Sequence, residues 1–236
     1  MSETKYKRIL IKLSGNAFKS EKRGIDFEVT SKLAEEIADV KKLGVDIAMV
    51  VGSGNLFRGA EAAKEGMDEP AGHYVGMLAT MMNALVLQDA LEKAGVPTRV
   101  MSALEAQKVA EPYIRRRAIR HMEKGRIVIC AGGTGNPFFT TDTAGVLRSI
   151  ELHCDIMLKA SNVDGVYDKD PNLEKDAKRF VEVSYNEVLE KELKVLDATA
   201  ISLAREKSLP IEVFNFFEKG NLKKVVLGER IGTLIK

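Results

Sequence analysis

Short apolar runs alternate with segments of helical period along almost the whole chain. Residues 9–13 form an apolar run broken only by Lys12, and Ser14, Gly15 and Asn16 end it. Residues 27–43 place Phe27, Leu33, Ile37 and Val40 on one helical face, with Gly44 as the stop. A second buried strand is predicted at 45–51, ending at Gly52, Ser53 and Gly54, and a long helix from about 73 to 94, closed by Gly95 and Pro97. Strands follow at 98–101, 126–130, 156–159 and 211–214, and helices at 113–124, 143–152 and 198–207, before two last apolar stretches at 225–227 and 233–235. Strands that read as continuous apolar blocks and alternate with helices predict a mainly parallel sheet covered on both faces, an α/β three-layer αβα sandwich. No repeat or Pro/Ser-rich linker divides the chain, and the most polar interval, 164–179, reads as a surface loop inside a single domain spanning 1–236.

Composition narrows the function classes. With 36 basic and 34 acidic residues the formal net charge is +2, which gives no electrostatic reason to expect nucleic acid or a membrane surface as partner. Cys130 and Cys154 have neither CxxC spacing nor paired histidines nearby, so buried reduced thiols are expected in place of a zinc site or a disulfide. The first eight residues are polar, and no apolar run approaches the ~18 residues of a membrane span. The expected location is the cytoplasm.

The candidate chemistry lies where strands end. Gly132 and Gly133 follow the strand at 126–130 and open a loop of Thr134, Gly135, Asn136, Pro137, Phe138, Phe139, Thr140 and Thr141, closed by Asp142. Glycines let backbone approach an anion, threonine hydroxyls donate hydrogen bonds without adding charge, and Asp142 offers a carboxylate to a metal or a lysine, or simply caps the next helix. Two more glycine loops, at Ser14 and Gly15 and at 52–54, follow strands, and a fourth strand ends at Lys159, Ala160 and Ser161. A parallel sheet sends all four to one edge. Lys12 and Lys159, each just before a loop of small residues, then point to an anionic site suited to phosphoryl transfer. The P-loop and dinucleotide fingerprints are absent. Asp164, Gly165, Val166 and Tyr167, with Asp170 and Pro171, fit either turns or contacts to a nucleoside. Arg115, Arg116, Arg117 and Arg120 read as a solvated or subunit-facing helix, Met77, Met81 and Met82 as helix core or an oligomer interface, and His121 and His153 as structural.

Lys12-Leu13-Ser14-Gly15, the GNLFRG run at 54–59, Met77-Leu78-Ala79-Thr80, the segment 110–117, the GTGNPFFTTD run at 133–142 and Val163-Asp164-Gly165-Val166-Tyr167 together resemble the bacterial uridylate kinases, from about Tyr6 to the C-terminal 232–235. The resemblance implies the amino-acid kinase fold and transfer of the γ-phosphoryl group of ATP to UMP with Mg²⁺. It also implies a homohexamer activated by GTP and inhibited by UTP. By position, Lys12, Leu13, Ser14, Gly15, Gly54 and Arg58 would line the ATP phosphates, and Ser161, Tyr167 and Asp170 the nucleoside part of ATP. The 134–141 loop, with Ser53 and His73, would meet UMP. Lys12 and Lys159 would neutralise the transferring group, with Asp142 orienting them and helping to place Mg²⁺. Ser53 stands where the family has a middle glycine, His73 where it has an aspartate, and Asn16 where it commonly has glutamate. A histidine accepts one hydrogen bond through one tautomer, so weaker and pH-sensitive UMP binding is expected. Two other readings remain open: an amino-acid kinase acting on a carboxylate or carbamate, and a nucleotide-binding storage or regulatory protein without catalysis. The intact GTGNPFFTT loop argues against the first, and the joint presence of Lys12, Lys159 and Asp142 against the second.

Overall fold

A computed structural model of the chain describes residues 4–169, 171, 173–174 and 176–236. In chain order the elements are β1 (Arg8–Leu13), α1 (Phe27–Lys41), β2 (Asp46–Val51), α2 (Gly59–Lys64), α3 (Glu69–Lys93), β3 (Thr98–Ser102), β4 (Glu111–Pro112), α4 (Arg115–Glu123) and β5 (Ile127–Ala131). They continue with α5 (Thr141–Glu151), β6 (Ile156–Ser161), β7 (Glu182–Val183), α6 (Tyr185–Glu190), α7 (Ala198–Glu206), β8 (Ile211–Asn215), α8 (Asn221–Val226) and β9 (Thr233–Ile235). The strands form one sheet in the order β4-β3-β5-β2-β1-β6-β8-β9-β7, parallel at every pairing except β8 with β9. This is the mainly parallel αβα sandwich that the alternation predicts.

Each central strand feeds two cores, because successive side chains point to opposite faces. Ile9, Ile11 and Leu13 pack with Leu33 and Ile37 of α1, Leu87 and Leu91 of α3 and Val225 of α8. Leu10 packs on the other face with Ala144 and Val146 of α5, Met122 of α4 and Ala204 of α7. Lys12 shares the face of Leu10, and Lys159 that of Met157, so both lysines project toward α5.

The order reverses at β1. The chain leaves β1 through α1 for β2 on one side, and later crosses from β5 through α5 to β6 on the other. In such sheets the crevice beyond the strand ends at the reversal is where ligands bind.

Several elements depart from the sequence reading: the two-residue strands β4 and β7 are not expected from it, and the apolar stretch at 225–227 falls at the end of helix α8. Helix α3 begins at Glu69, four residues before the expected start, because Asp68 caps it and Pro70 is tolerated in a first turn. Helix α2 buries none of its residues and so carries no apolar face to read. Helix α6 is a single short segment capped by Ser184. Helix α3 is also long and apolar enough, by length and composition, to cross a membrane. Its apolar character follows in part from packing: Met77, Met81, Ala84, Leu87 and Leu91 are buried, whereas Tyr74, Leu78 and Met82 lie on an exposed stripe. The methionine run is thus divided between core and surface. Both cysteines are buried and free, as expected.

Candidate active site

The parallel register sets Lys12 of β1 directly beside Lys159 of β6. Two ammonium groups side by side and mostly buried need a counter-charge, and the first turn of α5 supplies it. Asp142 Oδ1 lies 2.7 Å from Lys12 Nζ, and Oδ2 lies 2.7 Å from Lys159 Nζ. Burial alone would push the Asp142 carboxyl up, but the charges of Lys12 and Lys159 outweigh it and hold it below the usual carboxylate range. Burial holds Lys159 below the usual lysine value, against the pull of Asp142. Gly145 makes the arrangement possible, since a Cβ there would sit 2.9 Å from Met157 Sδ and 3.5 Å from Lys12 Cγ.

The start of α5 decides between the two roles open to Asp142. Asp142 does not cap the helix; Thr140 does, accepting from the amides of Asp142 (3.0 Å) and Thr143 (3.2 Å). Its own hydroxyl donates to Asp197 (2.5 Å), and Thr143 donates to the other oxygen of Asp197 (2.8 Å). Asp197 in turn caps α7 through Ala200 N. Two residues earlier, the Val195 carbonyl accepts from Lys159 Nζ. The strap at 195–197 therefore holds one lysine and the start of α5 together, and leaves Asp142 free of capping duty.

A cavity of about 830 Å³ opens beside the clamp, a volume suited to a nucleotide. Lys12, Ser14, Lys159, Ser161 and Tyr167 line it, with Val195, Leu193 and Phe217, and Lys19 and Lys194 add positive charge to its walls. Tyr167 donates to Asp164 Oδ1 (2.7 Å), and that hydrogen bond raises its phenol above the ordinary value. Asp170 lies outside the described residues. Leu13 offers only backbone: its side chain is in the core, and its carbonyl accepts from Gly52 N (2.9 Å). Gly15, Gly54 and Arg58 are not in the cavity wall. A Cβ on Gly15 would lie 2.4 Å from Gly54 N, so the two loops meet backbone to backbone. Arg58 turns back on its own loop, to Gly54 O (3.3 Å) and Glu61 (3.2 Å).

The 132–141 loop stands on the other side of the clamp. Gly132 and Gly133 are both left-handed (φ 76° and 56°), and Phe138, 64% exposed, adopts φ 70°. Thr134 and Asn136 close a local turn on each other (3.2 Å), while Gly135, Pro137, Phe139 and Thr141 complete the loop. His73 faces this loop: its ring packs on Phe138 with centroids 5.3 Å apart, and Glu69 lies 3.7 Å from its Nε2. Ser53 does not hold its proton in reserve, because Oγ donates to Phe57 O (3.1 Å). Beneath the loop Arg148 is buried on the Tyr113 ring (3.9 Å) and paired with Glu151 (2.7 Å).

A family model described as the amino acid kinase family matches residues 7–215. The chain belongs to the amino acid kinase family. Among solved structures it is similar to the UMP kinase from Bacillus anthracis, at 41% identity and a TM-score of 0.95 over 98% of this chain and 96% of that one. The UMP kinase from Ureaplasma parvum is 34% identical with a TM-score of 0.92, covering 98% of each chain. The uridylate kinase from Archaeoglobus fulgidus is 26% identical with a TM-score of 0.75, covering 97% of this chain and 99% of that one.

Within this amino acid kinase fold, four side chains to which sequence reasoning gave no role sit at or behind the site: Thr80, quoted only within a motif, Asn83, Lys194 and Asp197. Asp197 carried one legible signal, an aspartate immediately before a helical segment, which marks a cap. Its bonds to Thr140 and Thr143 join elements more than fifty positions apart, and no local pattern announces them.

Proposed function

We propose that this chain is an ATP-dependent UMP kinase, forming UDP and ADP. The single observation that carries the proposal is the clamp of Lys12, Asp142 and Lys159 placed between a nucleotide-sized cavity and the GTGNPFFTTD loop. ATP would occupy the cavity with its phosphates toward Lys12, Ser14 and Lys159, and UMP would meet the 134–141 loop near His73. An oxygen of the UMP phosphate attacks the γ-phosphorus, a new P–O bond forms, and the bond to the oxygen bridging the β- and γ-phosphates breaks. A UMP phosphate is largely dianionic at neutral pH, its second pKa being about 6, so the step needs no protein base. The chain's contribution is alignment and charge: the two lysines neutralise the transferring group while Asp142 fixes where their ammonium groups stand.

Mg²⁺ fits the site as a companion of the phosphates. Among the described residues no group of three or more His, Cys, Asp or Glu side chains forms a metal cage. Mg²⁺ commonly binds through one or two carboxylates plus substrate phosphates, and Asp142 is the carboxylate at hand. When bound, it would spread the negative charge of the triphosphate. By resemblance we also propose a cytoplasmic homohexamer activated by GTP and inhibited by UTP. The exposed stripe of Tyr74, Leu78 and Met82 supports self-association.

The test is ADP release with UMP, CMP, acetylglutamate or carbamate as acceptor. Turnover with UMP well above the others is expected. Turnover chiefly with a carboxylate or carbamate, or ATP binding without turnover on any acceptor, would overturn the proposal.

A further inference from the structure

Helix α3 touches both sides of the site from behind. Thr80 and Asn83, three residues apart, are 2% and 0% exposed and point inward from the helix face opposite the exposed stripe. Thr80 Oγ1 donates to Met77 O of its own helix (2.7 Å) and accepts from the amide of Gly132 (2.8 Å). Asn83 Nδ2 donates to Gly52 O (2.7 Å) and to Asn55 Oδ1 (2.8 Å). Asn55 returns a bond to Asn83 Oδ1 (3.0 Å) and reaches Gly24 O (2.7 Å). One helix thus holds the first residue of the 132–141 loop and the first residue of the glycine loop at 52–54.

Neither side chain can meet a ligand, because both are enclosed by protein. Their effect passes through the two glycines. The loop at 52–54 abuts Gly15, beside the nucleotide cavity, and Gly132 opens the loop on the acceptor side. Thr80 and Asn83 are separated by three helical residues, about 4.5 Å of axial rise, on a rigid element. Phosphoryl transfer depends on donor and acceptor being aligned to within about half an ångström.

We propose that α3 is the spacer that sets the separation of these two loops, with Thr80 and Asn83 as positioning residues for the acceptor nucleotide. The kinetic part of this proposal rests on the UMP kinase reading of the site. Gly133, the next residue of the loop, also lies against α3, since a Cβ there would come within 3.9 Å of Met77 Cγ, nearly one turn before Thr80.

The test compares Thr80→Val, which keeps the shape but strands the Gly132 amide, with Thr80→Ser, which keeps the hydroxyl. Steady-state kinetics with ATP and UMP are combined with amide hydrogen exchange of residues 132–139 in the nucleotide-free protein. Thr80→Val is expected to raise the KM for UMP about tenfold while leaving that for ATP within about twofold, the scale of one buried hydrogen bond. Exchange at 132–139 should quicken, and Thr80→Ser should restore both readouts. Unchanged exchange in Thr80→Val, or equal rises in both KM values that Thr80→Ser does not rescue, would overturn the spacer. If Thr80→Val does not fold, Asn55→Ala at a half-buried position tests the other anchor: faster exchange at 52–55 supports the spacer and unchanged exchange overturns it. Should the wild type fail to phosphorylate UMP, the kinase reading falls while the exchange comparison still decides the spacer.

Discussion

Replacing Asp142 by Asn removes one negative charge from between two ammonium groups. Each Nζ lies 2.7 Å from a different oxygen of the same carboxylate, which puts the two nitrogens no more than about 8 Å apart. At an effective dielectric constant of about 20, each lost attraction is worth about 4 kcal/mol gross and the exposed repulsion about 2 kcal/mol. Relaxation and the remaining amide oxygen return part of this, and breaking a mostly buried ion pair by removing one partner costs about 3–5 kcal/mol net. For a chain of this length that corresponds to a melting temperature lower by roughly 6–20 °C.

The pH dependence has a definite sign. Burial already holds Lys159 below the usual lysine value of 10.5, and Asp142 is the first force opposing it. Without Asp142 the folded-state value drops further, so the folded protein binds fewer protons than the unfolded chain between that value and 10.5. Stability of Asp142→Asn therefore rises with pH through that window, and its deficit is larger at pH 7 than near pH 10. ATP should offset part of the loss, because its phosphates supply the missing negative charge, so ATP raises the melting temperature of the variant more than that of the wild type. Turnover should fall by about a hundredfold to a thousandfold. Calorimetric melting with and without ATP, together with the ADP-release assay, reads all three effects. A variant with the wild-type melting temperature and an equal ATP shift would refute the idea that Asp142 balances the lysine pair.

Three further outcomes are expected. The acid limb of kcat/KM for UMP should follow the acceptor phosphate near pH 6, because Asp142 is held below the carboxylate range and stays ionised there; an acid limb that moves when Asp142 alone is changed would contradict this. The basic limb should begin below the ordinary lysine value of 10.5, as Lys159 loses its proton, and move upward in Lys159→Arg; an unmoved limb would dissociate Lys159 from the reaction. Gly145→Ala places a Cβ 2.9 Å from Met157 Sδ and 3.5 Å from Lys12 Cγ. It should cut kcat about tenfold while the melting temperature changes little, since better helix propensity offsets the crowding by about 1 kcal/mol; full activity would show that Lys12 tolerates displacement.

Much of the architecture was legible because it follows from periodicity. Residues 9–13 and 156–159 read as buried strands, and each broke its apolar run with one lysine. What periodicity alone could not supply was register: that Lys12 stands opposite Lys159, and not one residue away on the other face, is fixed by long-range pairing. The cap of α5 stays open in the sequence for a related reason. Asp142 and Thr140 are both good capping types, and the choice between them depends on Asp197, more than fifty residues later, taking the Thr140 hydroxyl. The start of α3 lies four residues earlier than the helical pattern suggests, because Asp68 caps it and Pro70 serves as a first-turn residue. The roles of Thr80 and Asn83 have no local signature: polar residues within an apolar helical stretch do not disclose which distant loops they reach, here Gly132 and Gly52.

Two of the three departures from the family pattern, Ser53 and His73, take on a common meaning in the structure. Ser53 spends its hydroxyl proton on Phe57 O, and its Oγ lies 3.6 Å from where a Cβ of Gly76 would sit, against α3. His73 lies nearly one turn earlier on α3 and packs its ring on Phe138 across the acceptor loop. Both are therefore engaged in contacts within the protein, and both lie at or against the helix whose inner face, through Thr80 and Asn83, holds the two glycine loops. The third departure, Asn16, lies elsewhere, in the wall of the cavity proposed for ATP, beside Lys12 and Lys159. The His73 ring, tilted 52° against that of Phe138, contacts a residue that is 64% exposed and held at positive φ, an aromatic contact that an aspartate at position 73 could not make. Where position 73 meets UMP as the resemblance implies, the change exchanges a carboxylate for an aromatic contact to the loop, and the two effects act on UMP affinity in opposite directions.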